Sequence, residues 1–170
     1  MVPLAHIAVL KNYFDVSQRL DLNPYHLLSS AGIYPAQLND AKQRIPVDKA
    51  ISLLEQSAHL SGCEVFGLHM AEQRQLADFG ELSLLLSYQH TLRDALQTIV
   101  RYRNTINNAL EIYLEEIGNT VIIRVEVISE FSAHSRQAIE LALGITHRFC
   151  AALLSPKWHP LSVHFTHYAP

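Results

Sequence analysis

Positive charge is in short supply: thirteen lysines and arginines stand against sixteen aspartates and glutamates, a formal net charge of -3. Phosphate binding needs a basic surface, so this chain is not expected to grip nucleic acid by itself. Glycine is also scarce, with six dispersed residues and no glycine-rich phosphate cradle. A P-loop, a dinucleotide glycine fingerprint, a GxSxG elbow and an HExxH motif are all missing. The two cysteines, Cys63 and Cys150, lack CxxC spacing, which excludes zinc-ribbon and thioredoxin chemistry. They read as buried, reduced thiols. Apolar runs are only a few residues long, far short of a membrane span. The opening Met1-Val2-Pro3-Leu4-Ala5-His6 has neither a basic n-region nor a long apolar stretch, so the expected compartment is the cytoplasm.

Core-forming residues are plentiful. Of the 170 residues 49% are apolar and 17% charged, enough to bury one full core and too apolar for disorder. From Ile7 to Leu20 the positions Ile7, Val9, Leu10, Tyr13, Phe14, Val16 and Leu20 recur at near-helical spacing. Asn23-Pro24 signals a helix start, and Gly32 ends that short helix. A further helix is predicted from near Pro46 to Ser61-Gly62, and another from Glu64 to about Gln73. Thr91 caps a strong amphipathic segment in which Leu92, Ala95, Leu96, Ile99, Val100, Ile106 and Leu110 share a face. The periodicity then changes. Leu110 to Glu116 alternates, Gly118-Asn119 supplies a turn, and Thr120 to Ile128 is β-branched, which predicts an antiparallel hairpin. Ser132 or Ser135 opens a long helix that Pro156 stops, and Leu161 to Thr166 alternates like a last strand. The expected fold class is α+β: one predominantly helical domain, residues 1–170, packed on a small, mostly antiparallel sheet. A strand that closes on Tyr168-Ala169-Pro170 leaves its edge uncovered, which points to a domain cut short at its C-terminus.

Three constellations carry chemistry. His159, His164 and His167 cluster near the end, but His164 and His167 would face opposite sides of a strand and lack acidic or thiolate partners. They read as edge and surface histidines, and no metal site is expected. Residues 24 to 44 imitate a helix-turn-helix, yet Pro35-Ala36-Gln37-Leu38-Asn39-Asp40 offers no arginine or lysine to base edges, so a helical corner of the core is the stronger reading. The richest polar run is Arg101 to Asn108. Arg103 and Asn107 lie four apart beside the apolar face of their helix, and Arg124 and Glu126 share one strand face. His147 follows Glu140 by seven residues, on the same helix side. Tyr102, Arg103, Asn107, Arg124, Glu126 and His147 are therefore the candidate ligand-binding residues, converging over an apolar floor. The bland alternative is solvated arginines, with Arg124 paired to a cross-strand acid. Glu140 and His147 are the first acid–base suspects if the chain is a small enzyme.

Phe66-Gly67-Leu68-His69-Met70-Ala71-Glu72, Asp78-Phe79-Gly80, Thr91-Leu92-Arg93-Asp94-Ala95-Leu96, Arg101-Tyr102, Leu114-Glu115-Glu116 and the closing His164 to Pro170 follow one another in a familiar order. In this the chain resembles, from about residue 5 to its end, the N-terminal effector domain of AraC/XylS-type transcription regulators, in the subgroup labelled arabinose-binding-domain-like. The resemblance implies a protein about twice this length, with two helix-turn-helix units after the effector domain. It implies helices at the start rather than a sugar-binding cupin, and effectors that vary between members. No ligand residue is carried over from it. The resulting expectation is a non-enzymatic regulatory domain without a cofactor, sensing a small molecule and meeting DNA only through an absent C-terminal domain. The rivals are a dimerisation module without a ligand and a small enzyme. A homodimer is expected in addition, since Val9-Leu10-Tyr13 and Leu82-Leu84-Leu85-Leu86 offer more large apolar residues than one core needs. Burial of both segments in a helical layer is the alternative.

Overall fold

The computed structural model describes residues 2–40, 43–129 and 135–167. Among these the fold is α+β, as expected, with eight α-helices and four short strands. The strands form two separate antiparallel ribbons rather than one sheet. The first joins β1 (Leu4–His6) to β2 (Arg44–Pro46), with Ala5 opposite Ile45. The second is the predicted hairpin, β3 (Leu110–Ile117) and β4 (Thr120–Val127), in register from Leu110–Val127 to Ile117–Thr120.

Local chemistry explains most of the helix boundaries. The Ile7–Leu20 periodicity is interrupted: a 3-10 turn spans Ile7–Leu10, and α1 (Tyr13–Arg19) begins only after Asn12. Asn12 takes the left-handed conformation, which asparagine tolerates, and its side-chain amide donates to the Met70 carbonyl. The Asn23 side chain accepts from the His26 N–H to start α2 (Pro24–Ser30), with Pro24 in the first turn. The segment after it, α3 (Pro35–Leu38), has only one turn, too short for a recognition helix. The longer α4 (Val47–Ser61) ends at Gly62 with φ of 66°, and α5 (Phe66–Glu72) follows. A second 3-10 turn, Leu76–Phe79, leads into α6 (Glu81–Ser87). Thr91 caps α7 (Leu92–Ile106) by accepting from the Asp94 N–H.

The final helix, α8 (Arg136–Leu154), opens at Ser135; the alternative start, Ser132, lies outside the described residues. No side chain of its own caps it. Instead Glu55 reaches across from α4 and accepts from the Gln137 N–H at 2.7 Å. The strand expected at Leu161–Thr166 is a correction: this stretch is irregular, and Leu161 is 92% exposed. Alternation makes a strand only where a sheet edge accepts it. Here both ribbons stay two-stranded, and Leu161–Thr166 joins neither.

Among the described residues two large apolar cores result, with a small third cluster of Ala5, Val47, Ile51 and Ala109 beside them. One gathers the 3-10 turn, α1, α2, α4, α5 and Leu141 of α8 around Tyr13, Leu28, Leu53 and Phe66. The other joins Leu82, Leu86, Ala95, Leu96, Ile99 and Ile112 to Phe149 and Cys150 of α8. Leu10 and Tyr13 are therefore core residues rather than a surface face, a second correction. Tyr13 is buried because α1 packs against α2 and α5, and Leu10 of the preceding 3-10 turn joins the same core. Leu82 and Leu86 are buried too, while Leu84 and Leu85 on the same helix are exposed.

Candidate functional site

A cavity of about 160 Å³ lies where the two cores meet. Its walls are overwhelmingly aliphatic. The N-terminal segment supplies Ala5 and Val9, α4 supplies Val47, Ala50, Ile51 and Leu54, and α7 supplies Leu96 and Ile99. The hairpin adds Leu110, Ile112 and Val127, and α8 adds Ala138, Leu141, Ala142, Ile145 and Phe149. The α8 residues recur at three- and four-residue steps, so one helix stripe forms one wall.

The polar groups sit mainly at the N-terminal and α5–α6 side. Arg74 is only 6% exposed. Its guanidinium donates to the carbonyls of Ala8 at 2.9 Å, Val9 at 2.7 Å and Lys11 at 3.0 Å, stapling the 3-10 turn to the end of α5. Among the described residues its Nε has no hydrogen-bond partner, and burial pulls its pKa down to about 10 against the opposing field of Asp78. Asp78 binds Lys11 through one carboxylate oxygen and accepts the Gln75 N–H with the other. The buried Nδ1 of His6, another lining residue, also has no hydrogen-bond partner among the described residues.

The sequence-derived candidates divide between the cavity and the surface. The three elements named for them, α7, the hairpin and α8, do wall the cavity. Arg103 and Asn107 line it. Arg103 is held by Glu111, with Nε to Oε2 at 2.9 Å, and the Asn107 Oδ1 accepts the Ala109 N–H. Tyr102 is 41% exposed and outside the lining. Arg124 and Glu126 lie on the outer face of β4, where Arg124 pairs with Glu115 at 2.9 Å. Strand periodicity decides this, because Val127 faces the cavity and its even-numbered neighbours face away. His147 lies instead tilted against Trp158 and stacked on His159, with ring centroids 5.8 and 6.3 Å away.

Glu140, the other acid–base suspect, is 2% exposed and shares one oxygen between Arg136 at 2.9 Å and His167 at 3.0 Å. His159, His164 and His167 have separate partners, and among the described residues no three metal-ligating side chains converge. No helix among those residues is long and apolar enough to cross a membrane. Sequence reasoning missed Arg74, Asp78 and His6 as lining residues. The available signal was Asp78-Phe79-Gly80, noticed only as a family signature, since Asp78 and Phe79 both face the cavity.

A family model, described as the arabinose-binding domain of AraC transcription regulators, N-terminal, matches residues 22–170. No curated protein matches the chain.

Proposed function

The chain belongs to the family of N-terminal arabinose-binding domains of AraC transcription regulators, and from that premise we propose that it senses a small molecule held between its two cores and controls a DNA-binding domain of the same regulator. The observation that carries this reading is the apolar cavity with a few polar groups among its lining, the usual make-up of a small-molecule site. Of the six residues predicted to bind ligand, Arg103 and Asn107 are the ones assigned to it. A ligand can act only by favouring one conformation or assembly over another, and a cavity shared by two cores provides such a choice. The reading is non-enzymatic, cytoplasmic and independent of a cofactor. The acid–base pair Glu140 and His147 gives the enzymatic alternative no support, because each is engaged elsewhere.

A thermal-shift screen of the 170-residue chain against amino acids, small carboxylic acids and pentoses tests the proposal. A ligand at a hundred times its Kd adds about 2.7 kcal/mol to the folded state, a melting shift of several degrees. If no compound moves the melting temperature, the sensor reading is wrong. The same chain is expected to show no salt-sensitive retention by duplex DNA. A second reading, self-association, draws on α6, where Leu84 is 65% and Tyr88 78% exposed beside Leu85. Sedimentation velocity at tens of micromolar reads it: dimers lost on Leu84→Glu support it, and a strict monomer removes it.

A further inference from the structure

The cavity offers an occupant hydrocarbon and little else. Ile51 and Leu54 of α4, Ile99 of α7, Val127 of β4 and Ile145 of α8 face it. The charged side chains of the lining, Arg74, Asp78 and Arg103, are already engaged. Arg74 holds the carbonyls of Ala8, Val9 and Lys11, and Asp78 binds Lys11 and the Gln75 N–H. Arg103 is taken by Glu111 and the Val100 carbonyl. The Arg74 Nε and the His6 Nδ1 have almost no accessible surface, so an occupant does not reach them. The Thr146 hydroxyl donates to the Ala142 carbonyl, and the Asn107 Oδ1 accepts the Ala109 N–H. A sugar entering here gives up water at several hydroxyls, and the aliphatic walls return no partner for them. The space, about 160 Å³, is close to that of an apolar cavity of ~150 Å³ that stays dry and takes benzene. It is also partly open to solvent, which leaves room for a head group in water.

We propose that the cavity recognises the hydrocarbon part of a small amphiphile, a chain or ring of about six carbons, and selects by its bulk rather than by charge or hydroxyl pattern. The proposal rests on the reading of the domain as a ligand sensor and specifies the part of the molecule that is sensed. The polar head stays in water at the opening and adds little to affinity. Each methylene taken from water into the cavity tightens binding about threefold to fourfold until the walls are met. Carbons beyond that length project into solvent and gain less. Such an occupant borders Leu54 and Leu141 of the first core and Ile99 and Phe149 of the second, so it adds contacts across their junction. Those contacts are the differential affinity by which it favours one arrangement of the cores.

The test is calorimetric titration of the whole chain with 1-butanol, 1-hexanol, 1-octanol, hexanoate and arabinose. Hexanol is expected to bind about tenfold tighter than butanol, and octanol to gain less than about threefold over hexanol. Hexanoate should fall within about threefold of hexanol, because its charge stays in water, and arabinose should give no heat of binding. Ala142→Leu, which fills the α8 wall, should weaken hexanol at least about tenfold, with its ligand-free melting temperature showing that it is folded. Hexanol no tighter than butanol, a tenfold gap between hexanoate and hexanol in either direction, or a folded Ala142→Leu that binds hexanol as well as wild type overturns the proposal. Arabinose binding without alcohol binding also overturns it but leaves the sensor reading standing. Silence from these probes and from the wider metabolite screen removes both.

Discussion

Gly67→Ala is expected to loosen the whole domain, although alanine is the better helix former. Gly67 sits in α5 with its backbone against the start of α8. A β-carbon there would lie 2.1 Å from the Gln137 carbonyl oxygen, 3.0 Å from its carbon and 3.1 Å from the Leu141 nitrogen. All three are backbone atoms, so no side chain can swing aside, and α8 must retreat by more than an ångström. That retreat breaks a buried reciprocal cap. The Gln137 Oε1 accepts the Gly67 N–H at 2.8 Å, while its Nε2 donates to the Glu64 carbonyl at 2.8 Å. Overpacking of this kind costs about 1–3 kcal/mol and stranding a buried polar group a further ~1–3 kcal/mol. Helix propensity returns about 1 kcal/mol, leaving a net loss of about 3 kcal/mol. For a chain of this length that is a melting-point drop of about 6–12 °C by circular dichroism. Gly62→Ala is the control, since Gly62 has φ of 66° and nothing near its would-be β-carbon; it should cost only about 1 kcal/mol. A Gly67→Ala protein that melts within about 2 °C of wild type would refute the close-packing argument.

Asp78→Asn should destabilise the protein by about 1 kcal/mol at neutral pH. Burial alone pushes the Asp78 carboxyl pKa up, but hydrogen bonds from Lys11 and the Gln75 N–H, with the charges of Lys11 and Arg74, hold it below the ordinary value of 3.8. Its contribution is therefore full above that value and lost as the pH falls through the lower folded one, so the gap between variant and wild type should close in acid. Urea midpoints at pH 7 and pH 3 showing the same gap would contradict this. Burial also pushes the Cys150 thiol up to about 11, keeping it protonated at pH 8, whereas Cys63 is half-buried. Brief alkylation followed by peptide mass spectrometry should find Cys63 labelled first and Cys150 only on unfolding; equal labelling would count against the packing of α8.

The legible parts of the fold were those governed by neighbours in the chain. Asn23 and Thr91 announced their helices because a side-chain oxygen meets an N–H three residues on, and Gly118-Asn119 announced the hairpin because the turn chemistry is local. The β1–β2 ribbon was invisible, since three-residue strands forty positions apart carry no periodicity of their own. Leu161–Thr166 misled for the converse reason, alternating without pairing to either ribbon. At the site, the elements were readable but not the facing of their side chains. Arg124 and Glu126 fell on the wrong side of a two-residue period, and His147 just off the α8 stripe. Arg74 gave no signal at all, because its importance comes from carbonyls more than sixty residues away.

The position of α8 has a mechanical consequence. Leu141 near one end belongs to the first core, Phe149 and Cys150 near the other belong to the second, and the stripe between them faces the cavity. Its nineteen residues make a rod about 28 Å long. A rigid rod transmits displacement rather than absorbing it, so a molecule wedged against its middle would move the lever as a whole. The movement emerges at Arg136 and Leu154 alike, and at His167, which is hitched to the lever through Glu140. Any signal raised by an occupant of that cavity would thus leave the domain as a change of angle.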